Sequence, residues 1–163
     1  MIKKFITFIA LTAFFLAVTP LSLAFSTSKQ YEVEMVVQSG EKSRETDAVL
    51  IINDDTFEVV PKKNSFKKDA KNIDFSAVKV ADYSYSKKPM LSGGGAVATA
   101  LLVGFIFALP FLFIKKKSHW LTVQTEDDFA VLKLGGRNHR AIVAEFETHG
   151  VKVNEVEEEK DKK

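Results

Sequence analysis

Ala48-Val49-Leu50-Ile51-Ile52-Asn53-Asp54-Asp55-Thr56-Phe57-Glu58-Val59-Val60 carries two β-favouring runs separated by three residues whose side chains tolerate the backbone of a tight turn. The pattern predicts a hairpin, strand 48–52 followed by strand 56–60, with Pro61 ending the second strand because it offers no N–H to a ladder. Upstream, Tyr31-Glu32-Val33-Glu34-Met35-Val36-Val37 opens with the period-two alternation of a half-buried strand. Downstream of a lysine-rich loop, Lys62 to Lys71, the stretch from Ile73 to Tyr85 alternates through Val78, Val80 and Tyr83 and reads as one longer strand.

The hairpin pattern returns near the C-terminus. His119–Thr125 and Phe129–Leu134 flank the acidic turn Glu126-Asp127-Asp128. Gly135-Gly136 breaks the second strand, Asn138 is placed to cap a helix, and Ile142, Val143 and Phe146 put an apolar stripe on a short helix that Gly150 ends. Residues 154–163 are mostly charged and read as a disordered tail.

Between these two β-rich parts lies a segment of a different kind. Met90 to Ile114 contains no charged residue over 25 positions, and a helix from Gly93 to Ile114 would be about 33 Å long against a hydrocarbon thickness of roughly 30 Å. A soluble helix apolar on every face needs a large protein around it, and a chain of 163 residues has no such bulk. Residues 91–114 are therefore expected in a membrane, with Lys87, Lys88, Lys115, Lys116 and Lys117 at the headgroups and Trp120 either an interfacial ring or a core residue. Ala100, Gly104 and Ala108 recur every four residues, either as a helix-packing stripe for a homodimer or as the small residues that membrane helices commonly carry. The Gly93-Gly94-Gly95 run and Pro110 also allow the segment to turn back and re-enter; the glycine run is no phosphate loop, because no Gly-Lys-Ser/Thr follows it.

The first 24 residues form a three-part signal peptide: Lys3 and Lys4, an apolar run from Phe5 to Val18, then small residues with Ser22 and Ala24 suited to cleavage before Phe25. Export to the cell membrane follows, with residues 25–90 extracytoplasmic. Three lysines after the apolar segment against two before it give little preference for the side of residues 115–163. A spanning segment would leave residues 115–153, a hairpin and a helix, as a marginal core on their own. A segment that enters and leaves by one face would let residues 25–90 and 115–153 pair into a single barrel, which is the favoured reading.

The formal charge of +2 is that of Lys3 and Lys4, so the chain after residue 24 balances 21 basic against 21 acidic side chains. Such a chain lacks the basic footprint of a nucleic-acid binder. No cysteine is present, which removes disulfides, thiolate nucleophiles and Cys-ligated zinc. His119, His139 and His149 have no metal-ligand spacing, no catalytic motif is visible, and neither a metal nor a cofactor is expected. The acidic turns Asp54-Asp55 and Glu126-Asp127-Asp128 are read as solvated turns before calcium ligands. Lys62, Lys63, Lys67, Lys68 and Lys71 are the sharpest candidate site: five lysines in ten residues could hold anionic headgroups at about 1 kcal/mol each, or simply form a solvated loop.

The order of hairpins followed by one amphipathic helix resembles a pleckstrin-homology (PH) or GRAM-like barrel, as found in small bacterial proteins of unknown function. The residues carrying the resemblance are Val49-Leu50-Ile51-Ile52-Asn53-Asp54-Asp55-Thr56-Phe57, Phe66 with Ile73, Lys117-Ser118-His119-Trp120-Leu121-Thr122-Val123, Val131-Leu132-Lys133-Leu134, and the helix with Asn138, Ile142 and Phe146 closing at Gly150. It implies a mainly β fold with one C-terminal helix, interrupted by the apolar segment where an ordinary barrel has a loop. Barrels of this type usually bind, so the resemblance implies a non-enzymatic envelope module for a protein or lipid partner. Two alternatives stand beside it: an anionic-lipid-binding domain using the 62–71 lysines, and an enzyme whose site is assembled from scattered Asp, Glu and His.

Overall fold

A computed structural model describes residues 28–39, 42–92 and 116–157. The signal peptide, Lys115, the stripe of Ala100, Gly104 and Ala108, nearly all of the apolar segment, and residues 158–163 lie outside the described residues. Among the described residues no helix is long and apolar enough to cross a membrane.

The described chain is one curled sheet with one helix. Its strands are β1 (Lys29–Ser39), β2 (Lys42–Ile52), β3 (Thr56–Pro61), β4 (Lys71–Asp74), β5 (Val80–Ser86), β6 (Ser118–Gln124), β7 (Phe129–Leu134) and, after helix α1 (His139–Thr148), β8 (Val153–Glu155). The strand order is β4-β3-β2-β1-β7-β6-β5-β8. All neighbours are antiparallel except β5 and β8, which run parallel. The opening hairpin turns where read, with Ile52 facing Phe57 and Asn53 N–H donating to Thr56 O at 2.9 Å, but its first strand begins at Lys42 and not at Ala48.

The stretch expected as one strand from Ile73 to Tyr85 is two strands. A 3-10 turn, Phe75–Ala77, ends β4 and redirects the chain, because β4 pairs with β3 at one edge while β5 pairs with β6 and β8 at the other. Alternation of side chains is the same signal on either side of such a turn, so periodicity alone could not expose the break. The lysine-rich loop likewise contains a 3-10 turn, Asn64–Asp69, and gives way to β4 at Lys71. Asn154 and Glu155, read as the start of the disordered tail, belong to β8: Ala81, Asp82 and Tyr83 face Val153, Asn154 and Glu155, and Val156 N–H donates to Tyr83 O at 2.8 Å. A parallel partner supplied by β5 overrides the low β propensity of the two polar residues.

Residues before and after the apolar segment share this sheet. Val33, Glu34 and Met35 of β1 pair with Leu134, Lys133 and Leu132 of β7, and Ser86 at the end of β5 faces Ser118 at the start of β6. The two β-rich parts are therefore not independent folding halves.

One face of the sheet and α1 enclose the core. Ile142 and Phe146, four residues apart on one helix face, are fully buried. Phe146 meets Phe57 at 4.9 Å between ring centroids and Phe75 at 5.4 Å, and the last two rings are 5.3 Å apart. Leu50, Val59, Leu121, Val123 and Leu132 complete the packing from both meanders. The helix ends as the sequence indicates. Gly150, at φ 81°, adopts the left-handed backbone that a Cβ disfavours, and the amides of Gly150 and Val151 donate to Glu147 O and Phe146 O, each at 3.0 Å. Its start differs. Asn138 makes no side-chain cap; its Nδ2 donates instead to Glu32 O at 2.8 Å, fastening the helix to β1.

Candidate functional site

Of the sequence-derived candidates, the five lysines from 62 to 71 are not a free cluster. Lys62 Nζ lies 2.5 Å from Glu32 Oε1, and Lys71 Nζ lies 2.5 Å from Asp128 Oδ1. Lys63 sits over the Phe66 ring at 5.5 Å, whose partly buried edge packs on the core and so orders the turn. Only Lys67 and Lys68 project into solvent with neither a carboxylate nor an aromatic ring paired to them. Asp128 also accepts from Phe129 N at 2.8 Å, so this acidic turn is occupied in its own architecture. Among the described residues no group of three or more His, Asp or Glu side chains is arranged to hold a metal ion.

Lys87, Lys88, Lys116 and Lys117 gather where β5 ends and β6 begins, since Ser86 and Ser118 are register partners. Trp120 lies on the sheet face opposite the core residue Leu121. The ring is fully enclosed, and its Nε1–H donates to Ser86 O at 3.1 Å. The aromatic residue exposed at this end is Tyr85, which pairs with His119 beside Trp120 and faces the other side of the sheet. Tyr85 is 54 % exposed and is the one exposed large hydrophobic side chain among the described residues.

Tyr85 is the outermost ring of a stack that the sequence did not reveal. It lies 4.6 Å from His119, its ladder partner; His119 lies 3.8 Å from His139 with the rings 8° from parallel; and Tyr83 backs both imidazoles at 6.0 and 6.2 Å. Tyr83, Tyr85 and His119 share a face through the alternation of β5 and β6, and the first residue of α1 brings His139 over them. His119 and His139 are 20 positions apart and in different elements, so neither spacing nor period joins them.

Burial, followed by the neighbouring His139 and Arg140, holds His119 below the ordinary imidazole value. Burial, then Glu155, pushes the Tyr83 phenol up, while Arg140 pulls the other way. Tyr83 Oη and His119 Nδ1 share a hydrogen bond at 2.7 Å. His139 Nδ1–H donates to Gly136 O at 3.0 Å. Two imidazoles lying face to face carry their in-plane lone pairs along parallel planes, which do not converge on one ion, so the pair is no metal chelate.

A second polar feature lies on the sheet face away from the core. Lys133 Nζ bridges Glu34 at 3.1 Å and Glu45 at 2.6 Å. Burial and then the Glu45 carboxyl push Glu34 up, against the pull of Lys133. Glu34, Glu45, Thr46, Asp47, Lys62 and Lys63 line an open groove of about 470 Å³ that contains no histidine.

No family model matches this chain. A search of curated proteins likewise finds no match. Among solved structures the chain is similar to the hSac2 domain from human phosphoinositide phosphatase Sac2, at 12% identity and a TM-score of 0.48, over 99% of this chain and 92% of that one. A likeness at this level says nothing of what the present chain binds.

Proposed function

We propose that the chain is a membrane-held, non-enzymatic binding module of the cell envelope. In this reading it has a PH-like or GRAM-like fold that stays whole on the extracytoplasmic side, while the uncharged stretch enters and leaves the bilayer by one face. The observation that carries the reading is the meeting of Ser86 with Ser118 and of β1 with β7 in a single sheet. Ladder hydrogen bonds join strands about 5 Å apart and cannot bridge a bilayer, so the residues flanking a membrane-embedded stretch must then lie on one side of it.

The ion pairs of Lys62 and Lys71 weaken the case for the 62–71 lysines as a headgroup site. Because the chain has no cysteine, single cysteines at Ser28 and Glu157 report sidedness without background. An impermeant maleimide on intact exported protein is expected to label both positions, with the protein retained in membranes after alkaline carbonate. Labelling of only one position would refute the one-sided arrangement, and release by carbonate would refute membrane insertion.

A further inference from the structure

We propose that the end of the β5–β6 hairpin, carrying Tyr85, His119 and His139 with Lys87 and Lys116 beside them, is a contact surface for anionic lipid headgroups. The proposal deepens the reading above by naming the surface and what regulates it.

Three observations converge on this end. Tyr85 exposes an amphipathic ring where every other described large apolar side chain is at least partly covered, and such rings settle at headgroup level. The groups around it are cationic or can become so: Lys87 and Lys116 at the strand ends, His119 on β6, and His139 and Arg140 on the first turn of α1. Arg140 acts on both Tyr83 and His119. The one acidic group acting on the stack is Glu155 on β8, which bears on Tyr83 at its inner edge.

The other exposed basic group, Lys67 and Lys68, belongs to a different end of the molecule. Lys71 is tied to the β6–β7 turn at Asp128, and His119 lies at the opposite end of β6, about 17 Å from Gln124 along the strand. One flat surface cannot engage both.

The stack makes this contact sensitive to pH. Tyr83 Oη and His119 Nδ1 share a hydrogen bond at 2.7 Å, and burial, with His139 and Arg140 beside it, disfavours a charge on that ring. Protonation of the ring leaves both its nitrogens donors only and puts a positive charge 3.8 Å from His139, an arrangement that an adjacent anion relieves. His149, at the far end of α1 and stacked on Phe75 at 4.3 Å, is an internal control. It lies some 15 Å away along the helix, beyond the roughly 8–10 Å over which a charged surface is felt at moderate salt.

The test uses the full chain made in the presence of vesicles, either pure phosphatidylcholine or the same lipid with one third phosphatidylglycerol, followed by flotation and by imidazole proton NMR. Incorporation into both, with the apparent pKa of His119 about 0.5 unit higher on the anionic lipid, is expected for a surface near −30 mV; at one fixed neutral pH the ring-proton lines of His139 should also move between the two lipids and those of His149 should not. Lys67→Gln with Lys68→Gln should leave these differences between the two lipids unchanged. Equal shifts for all three histidines, or none, would overturn the headgroup contact while leaving membrane anchorage intact. Flotation with anionic vesicles alone, and only below about pH 6.5, would support the contact and refute the anchor. Flotation with neither would refute both.

Discussion

His119 shows how one side chain can make stability depend on acidity. Its folded-state pKa lies below the unfolded one, so the unfolded chain binds more protons as pH falls. The stability it contributes is complete above the unfolded value of about 6.5 and is lost as pH falls through the window beneath it. His119→Phe keeps a ring between Tyr85 and His139 but cannot be protonated. Its thermal midpoint is expected to vary less between pH 7 and pH 5 than that of the native chain, by calorimetry. An unchanged slope would place the acid sensitivity elsewhere. Asp82 is the other telling residue. Its buried carboxylate accepts from Ser92 N at 2.9 Å, Ser92 Oγ at 2.7 Å and Asn154 Nδ2 at 3.1 Å, tying β5, β8 and the connection after β5 together. Asp82→Ala leaves those donors without their acceptor and should destabilise by about 2–3 kcal/mol in urea unfolding. Neither role was legible in the sequence, where Asp82 is one acid among many and His119 has no partner within reach of any local pattern.

Elements were far more legible than sites. The hairpin around Asn53-Asp54-Asp55, the hairpin around Glu126-Asp127-Asp128 and the helix ending at Gly150 depend on turn chemistry and side-chain period, which are local. The break at Phe75 and the strand at Val153 depend on which distant strand is waiting to pair, and local pattern carries no such information. Helix α1 gives two checks on this account. Phe146→Ala removes the ring that joins Phe57 and Phe75 and should destabilise by about 3–5 kcal/mol. Gly150→Ala meets no steric obstacle in space but forces a Cβ onto a left-handed backbone, so a loss of about 1 kcal/mol is expected with the fold unchanged by circular dichroism.

At the scale of the molecule, residues on the two sides of the uncharged stretch are expected to unfold together. The core takes Phe57 and Leu50 from before the stretch and Leu121, Leu132 and Phe146 from after it, and neither set encloses itself. Urea unfolding followed separately by Trp120 fluorescence and by far-ultraviolet circular dichroism should give coincident midpoints. Separate midpoints would mean that the first meander stands alone. The composition could not show this union, because it rests on the pairing of β1 with β7 across about a hundred residues of chain.

That pairing also sets an order of events during synthesis. β1 matches β2 along eleven register pairs but meets β7 along only three, and those three come from residues 132 to 134. Until Leu134 has been made, the first meander has an open flank at Val33, Glu34 and Met35, beside a half-built interior. Translation from Ser92 to Leu134 at about 5–20 residues per second takes roughly 2–8 s. For that interval the nascent chain shows neighbouring chains an apolar edge ready for strand addition, and its escape from aggregation depends on how quickly the second meander arrives.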